Sequence, residues 1–232
     1  MIRSEDTFYT ESVYFPPVSG GNWCFYTDEI NAEMLKEAYW HGIFPWPDSS
    51  QESNIPWVFP QIRGMIILKD FHIPETVRRL EKKNIFEIRI DTAFEEVIAN
   101  CAVRNNGEDT WITDKLANAY IALHRAGWAH SFEAWNRTTG VLAGGLYGVS
   151  TGGIFTGESM FFRESGASKV ALAALGRTLH NCGVKILDTQ MVTSVMELFG
   201  AAYYHAEDYR KCLELFRSTP VDTETLRRNL PL

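Results

Sequence analysis

The longest regular pattern in the chain runs from Ala129 to Gln190. Ala129 to Trp135 reads as a strand, and Asn136 to Gly140 as a turn. Val141 to Val149 alternates apolar and small residues, the period of a strand. Gly152-Gly153 marks a hairpin turn. Ile154 to Phe162 returns as the second strand, with polar Glu158 and Ser159 between apolar neighbours. Ser165-Gly166-Ala167-Ser168 opens a helix rich in Ala and Leu, from about Ala167 to His180. Asn181 and Gly183 end it, since both tolerate the left-handed C-terminal turn. Val184 to Leu187 is a short buried strand with Asp188 and Gln190 at its end. A hairpin, a helix and a third strand thus bring Glu158, Asp188 and Gln190 into one neighbourhood. Polar groups at strand ends beside a helix N-terminus make a candidate site.

Upstream, residues 1–26 read as an arm, with Pro16-Pro17 and Ser19-Gly20-Gly21. Asn31 to His41 predicts a helix capped by Asn31, with Met34, Leu35, Ala38 and Tyr39 as its apolar stripe. The Ile43-Phe44-Pro45-Trp46-Pro47 run is a rigid aromatic loop, because prolines hold the backbone extended. Such a loop suits a core plug and a ligand wall alike, and Trp57 is a second candidate wall. Gly64 to Lys69 is an apolar strand, and Pro74 starts a helix. Ile85 to Ile90 is a half-buried strand. Thr92 with Glu95 predicts a capping box for a helix with Phe94, Val97, Ile98 and Cys101 inward. Asn105-Asn106-Gly107 is a loop. Trp111 after it is placed to stack on a base or to anchor the core. Thr113 caps a helix that buries Leu116, Tyr120 and Leu123, and Gly127 ends it.

The 232 residues are enough for one large domain or two small ones. With 45% hydrophobic and 22% charged residues the composition is that of a globular protein. No apolar run reaches ~18 residues, so no membrane span is expected. Cys24, Cys101, Cys182 and Cys212 are scattered, which predicts free thiols and a cytoplasmic setting rather than disulfides or zinc. The net charge of −7 argues against a nucleic-acid partner for the chain as a whole. One segment departs from it. Arg78, Arg79, Lys82 and Lys83 share a helical face, diluted by Glu75 and Glu81. A solvated face accounts for such a run in most proteins. In an acidic chain it is better explained by an anionic partner.

Six segments in order resemble the bacterial leucyl/phenylalanyl-tRNA–protein transferases. They are H-G-I-F-P-W at 41–46, T-W-I-T at 110–113, H-R-A-G-W-A-H-S-F-E-A-W at 124–135, G-E-S-M-F at 157–161, Ala167-Ser168-Lys169, and L-D-T-Q at 187–190. The resemblance covers 31–210. It implies an α+β fold with a small N-terminal α/β unit over 1–62 and a C-terminal acetyltransferase-like (GNAT) domain over 63–232. The implied reaction moves Leu, and also Phe or Met, from its tRNA to the N-terminal Arg or Lys of a protein, marking that protein for degradation. The implied partners are Leu-, Phe- and Met-tRNA and acceptors with basic N-termini. A monomer is the simplest state.

An aminoacyl-tRNA ester is already activated, so the transfer needs no ATP, metal or covalent intermediate. It needs the ester beside a free amine, loss of the ammonium proton from a group of pKa ~8, and hydrogen bonds to the oxyanion. The resemblance implies that Asp188 and Gln190 orient and help deprotonate the amine, and that Glu158 holds the amino group or the terminal ribose. Trp46 and Trp111 would meet the terminal adenosine. Leu146, Phe155, Met160, Leu175 and Leu179 fall at the family's pocket positions, though each would serve equally as core. The basic face would meet tRNA phosphates.

Two departures stand out. F-Y-T-D-E-I-N replaces a family G-G-D-L-S segment. Beyond Gln190 a family histidine is replaced by Val195 and a family arginine falls near Ala206-Glu207, while Asp208-Tyr209 is retained. These changes touch the acceptor side most. They leave open a different acceptor, or a non-catalytic tRNA-binding relative. An acyl-CoA acetyltransferase would want a pyrophosphate loop, and Ser165-Gly166-Ala167-Ser168 is a poor one.

Overall fold

The alternating run at 129–162 becomes the middle of a seven-stranded sheet in the computed structural model, which describes residues 23–47, 54–103 and 110–221. The expected loops at Pro16-Pro17, Ser19-Gly20-Gly21 and Asn105-Asn106-Gly107 lie outside those residues. In chain order, β1 (Trp23–Thr27), α1 (Ala32–Trp40), β2 (Phe44–Pro45) and β3 (Ile55–Phe59) come first. β4 (Ile62–Ile67), α2 (Glu75–Lys82), β5 (Phe86–Ile90), α3 (Phe94–Cys101) and α4 (Asp114–Arg125) follow. The hairpin of β6 (Ala129–Asn136), β7 (Leu142–Thr151) and β8 (Ile154–Phe162) leads into α5 (Ala167–Asn181) and β9 (Ile186–Gln190). The described chain closes with α6 (Ser194–Leu198), β10 (Ala202–His205) and α7 (Ala206–Phe216).

The fold is mixed α and β. A three-stranded sheet has the order β1-β3-β2, and the large sheet the order β10-β4-β9-β8-β7-β6-β5. Every pair is antiparallel except β8 and β9, which run parallel and are joined through α5. One apolar cluster packs α1, α3, α4, α7 and the small sheet against the large one, with Leu35, Trp57, Leu116 and Tyr147 fully buried. The second holds α5 and Val77 of α2, together with Ile66, Phe155 and Leu187. Helix α5 is buried nearly all round, as a helix rich in Ala and Leu between two layers must be. Its Gly176 admits the ring of Phe71: a Cβ there would lie 2.1 Å from the ring.

The helix starts follow local chemistry where a short polar side chain precedes the first turn. Asn31 accepts from Met34 N at 2.9 Å and Thr113 from Leu116 N at 3.3 Å. Helix α3 differs from the expected capping box. Its N-cap is Ala93, with no side-chain cap of its own. Glu133 of β6 supplies the acceptor instead. It is fully buried and takes bonds from Thr92 N and Ala93 N, both at 3.0 Å, from Ser131 Oγ at 2.7 Å, and from the Thr92 hydroxyl. The free N–H groups of a helix start offer a buried carboxylate both donors and a favourable dipole. Glu95, expected to complete the box, pairs with Arg125 on the surface at 2.7 Å.

The last strand also exceeds its expected length. Val184 to Leu187 reads as the strand, yet β9 continues to Gln190, because β4 pairs along its outer side as far as Gly64 opposite Gln190. Asp188 and Gln190 therefore sit within a strand rather than after one.

Glu133→Ala leaves two backbone donors and a buried hydroxyl without partners. It is expected to lower the unfolding free energy by about 2–4 kcal/mol in denaturant titration, and Glu133→Gln by less.

Candidate active site

Strands β8 and β9 are in register only at Ile154–Ile186, Phe155–Leu187 and Thr156–Asp188. Their ladder ends there, and each strand then carries a bulge against its outer neighbour. On β8, Gly157 faces Gly148 and Ser159 faces Tyr147, so Glu158 is the extra residue. On β9, Asp188 faces Met65 and Gln190 faces Gly64, so Thr189 is extra. A bulge bends its strand and re-aims a side chain. Here the two bulges bring Gln190 Nε2 within 2.9 Å of Glu158 Oε1. Gln190 holds a left-handed backbone, φ 57°, unusual for a residue with a side chain. Gly64 makes room for it: a Cβ at that position would lie 2.6 Å from the Met191 carbonyl carbon.

The parted strands border a cavity of about 470 Å³. Pro45, Trp46, Pro47 and Trp111 form an aromatic wall. Leu146, Met160, Leu172, Leu175 and Leu187 form an apolar floor. Glu158, Ser159, Thr189 and Gln190 form a polar band, and Met191, Thr193, Val195 and Met196 a rim.

Glu158 is the one charged residue of that lining among the described residues. Tyr120 donates to its Oε2 at 3.0 Å, and the Tyr120 hydroxyl meets that of Tyr39 at 2.7 Å. Burial pushes the Glu158 carboxyl up to about 7, while the hydrogen bonds of the two tyrosines pull the other way. The same burial, with the carboxylate nearby, raises the tyrosines well above their usual range and keeps them protonated donors. Two further hydroxyls at the cavity, Tyr147 and Thr189, are buried without a hydrogen-bond partner among the described residues.

Asp188 stands behind this band and does not line the cavity. It is fully buried against Arg63, itself 1% exposed. Arg63 Nε donates to Oδ1 at 2.9 Å and Nη2 to Oδ2 at 2.5 Å. Tyr209 donates to Oδ2 at 2.9 Å and the Gln190 backbone N–H to Oδ1 at 2.9 Å. The guanidinium lies between the rings of Phe44 and Tyr209, 4.3 and 4.4 Å from their centroids, and reaches the Gly42 carbonyl at 3.2 Å. This geometry makes Asp188 an anchor for Gln190.

Residues 65–214 match the family model described as leucyl/phenylalanyl-tRNA protein transferase. A protein of that name from Oleidesulfovibrio alaskensis is 45% identical over 178 residues, 75% of this chain and 71% of its own. The chain belongs to the leucyl/phenylalanyl-tRNA–protein transferase family. Two solved structures are similar at a lower level. A Bacteroides thetaiotaomicron protein of unknown function is 10% identical, with TM-score 0.43, over 83% of this chain and 66% of its own. The C-terminal domain of a putative lysylphosphatidylglycerol synthetase from Agrobacterium fabrum is 12% identical, with TM-score 0.42, over 88% of this chain and 63% of its own. Likeness at that level contributes nothing to the assignment.

Seven of the fourteen residues that the transferase resemblance singled out converge on the cavity. Glu158, Gln190, Trp46, Trp111, Leu146, Met160 and Leu175 line it. Phe155 and Leu179 do not: both are fully buried in the cluster behind the floor, while Leu172 and Leu187 border the space. Trp57 is a core plug, fully buried, with Nε1 donating to Thr27 Oγ1 at 2.8 Å. Arg78, Arg79, Lys82 and Lys83 lie exposed on and just after α2, away from the lining. The two acids that dilute them are engaged, Glu75 by Arg79 at 3.4 Å and Glu81 by both Arg177 nitrogens at 2.6 Å. Arg63, Tyr39 and Tyr120 are not legible as site residues in the sequence, and Tyr209 shows there only as part of the retained Asp208-Tyr209 pair. Tyr39 and Tyr120 stand in apolar stripes as core residues, and their hydroxyls are the signal that could have marked them. Arg63 was a lone cation at the head of an apolar strand.

Arg63→Met leaves Asp188 charged and unpaired in the interior and is expected to lower stability by about 3–5 kcal/mol. Arg63→Met with Asp188→Leu should recover much of that loss in the same denaturant titration, with transfer activity still impaired because Gln190 has lost its anchor.

Proposed function

We propose that the cavity receives the 3′ end of Leu-tRNA, and also of Phe- and Met-tRNA, and passes the amino acid to the N-terminal Arg or Lys of an acceptor protein. The observation that carries this reading is the position of Glu158: a half-buried carboxyl, poised near neutral pH, where the aromatic wall meets the apolar floor. The terminal adenosine stacks on Trp46 and Trp111, a contact worth ~1–3 kcal/mol per base. The leucyl side chain enters the floor of Leu146, Met160 and Leu175, with Phe155 and Leu179 as its backing. An apolar pocket distinguishes a methylene only ~10–200-fold, which fits a site that takes Leu, Met and Phe.

Glu158 takes a proton from the acceptor's ammonium. The free amine nitrogen attacks the ester carbonyl and the new C–N bond forms. The attacking nitrogen gives up a second proton as the ester C–O bond breaks; the ribose oxygen takes up one proton and leaves as a hydroxyl, and the other passes to solvent, leaving a neutral amide. Gln190 holds Glu158 and the amine in line, and Asp188 positions Gln190 through its backbone. The Arg78, Arg79, Lys82 and Lys83 face meets tRNA phosphates, so affinity falls with salt. The whole works as a monomer in the cytoplasm. A GNAT-like unit over 63–232 carries the chemistry, and a smaller unit over 1–62 brings Trp46. The three-stranded sheet within 23–59 and the start of the large sheet at Ile62 support that division. The product is an acceptor marked for degradation.

Labelled leucine is expected to pass from Leu-tRNA to a protein beginning with Arg and not to one beginning with Glu. Retained tRNA binding without transfer to either would remove the catalytic reading. The pH profile is the second test. Glu158 must be ionised to act, so kcat/KM should rise with pH through about 7. In Glu158→Gln that limb should vanish, leaving only the rise of the acceptor amine near ~8, with the rate down by about 10²–10⁴-fold. An unchanged profile would assign the proton transfer to another group.

A further inference from the structure

Once an aminoacyl-tRNA end is placed as proposed above, on which this inference rests, three parts of the cavity are occupied. Adenosine lies on the aromatic wall, the aminoacyl side chain on the floor, and the ester and amine at the polar band. The rim remains. Met191 follows Gln190 directly in the chain and is 48% exposed. The rim therefore begins one residue from the group that holds the amine and runs outward to solvent. An acceptor whose α-amine sits at Glu158 and Gln190 must lay its first side chain along Met191, Val195 and Met196.

That surface is apolar. Among the described residues lining the cavity, Glu158 alone is charged, and its two oxygens already accept from Gln190 and Tyr120. Glu197 is exposed and outside the lining. Val195 and Met196 stand in the short helix α6, held in place by the Thr193 cap, which accepts from Met196 N at 3.2 Å, and by Phe199 packed on Phe71 at 5.6 Å between ring centroids. The apolar wall is thus built on a fixed element. Among the described residues it offers contact to an aliphatic stem and no counter-charge to a cationic head. Lys and Arg fit it by their stems with the head in water. Met and Leu fit it with their whole side chain.

We infer that this chain selects its acceptor by apolar contact along Met191, Val195 and Met196, so that proteins beginning with Met or Leu are acceptors alongside those beginning with Lys or Arg. One chemical consequence separates this rule from a basic-only rule. A transferred leucine becomes the new N-terminus, and under apolar selection it is itself an acceptor. The amine of that leucine attacks a second leucyl ester, one C–N bond forms, one ester C–O bond breaks, and the chain grows again.

The test uses the full chain, Leu-tRNA, and peptides identical except for a first residue of Arg, Met or Leu. Met and Leu peptides are expected within about tenfold of the Arg peptide in kcat/KM, and mass spectrometry should show successive leucine additions. Transfer to Arg alone, with Met and Leu lower by about a hundredfold or more, would overturn the inference while leaving the transferase reading intact. Transfer to none of the peptides would overturn both. Val195→Glu places a carboxylate on the rim and is expected to shift the Arg-to-Leu preference toward Arg by about tenfold or more. Val195→Thr, close to valine in shape, should shift it the same way by less and serves if the glutamate variant does not fold. A preference unmoved in both variants would remove the rim from acceptor selection.

Discussion

The buried pair of Arg63 and Asp188 is the interaction on which the site depends. Taking two charges out of water is costly, and such a pair holds only when every remaining donor and acceptor is met. Here they are met by groups from widely separated parts of the chain: the Gly42 carbonyl, the Tyr209 hydroxyl, the Gln190 N–H, and the faces of Phe44 and Tyr209. One cation thereby ties the loop after α1, the strands β4 and β9 and the helix α7 into one arrangement. Replacing the pair with apolar residues could keep the fold, but not the place where Gln190 is held. The value of the pair lies in position more than in stability.

Position matters because the two strands that open the cavity are each out of phase with their outer neighbour. The bulge at Glu158 reverses the alternation of β8. Ile154 and Phe161 fall in the same apolar cluster, although their positions differ by an odd number, and so do Phe155 and Met160 in the other. A regular strand would send those pairs to opposite faces. The bulge at Thr189, together with the left-handed backbone of Gln190, does the same work on β9, and only a glycine at position 64 leaves the backbone of Met191 where it is. A strained residue persists where its surroundings over-determine it, and the Arg63 cluster is what over-determines Gln190.

The parts legible in the sequence are those fixed by neighbours a few residues away. Helix caps at Asn31 and Thr113, the Gly152-Gly153 turn and the small-residue helix α5 follow from local chemistry, as does the convergence of Glu158 and Gln190 through one hairpin and one crossover. What escaped depends on partners far along the chain. Arg63 and Asp188 are 125 residues apart, and Glu133 caps α3 from 40 residues away. Thr92 and Glu95 carry the sequence of a capping box, but the buried carboxylate of Glu133 competes better for the same N–H groups. Periodicity also marks which residues are apolar without marking which of them border empty space. Phe155 and Leu187 lie opposite each other in register, and only Leu187 reaches the cavity.

The same architecture sets a conflict between the site and the fold. An acid whose pKa is raised on folding keeps its proton in the native state while the unfolded chain has already released it. Between the ordinary value of 4.5 and the raised value of about 7 for Glu158, the native state therefore binds more protons, and this group's contribution to stability falls as pH rises across that window. Near neutral pH, where the proposed base must be ionised, Glu158 opposes folding. Its hydrogen bonds from Tyr120 and Gln190 offset part of that penalty, and both donors are themselves fixed, Tyr120 by Tyr39 and Gln190 by Asp188. The chain thus keeps a carboxyl able to exchange a proton at neutral pH by surrounding it with donors that cannot turn away. Gln190 is secured in turn by a buried ion pair that stands outside the cavity lining.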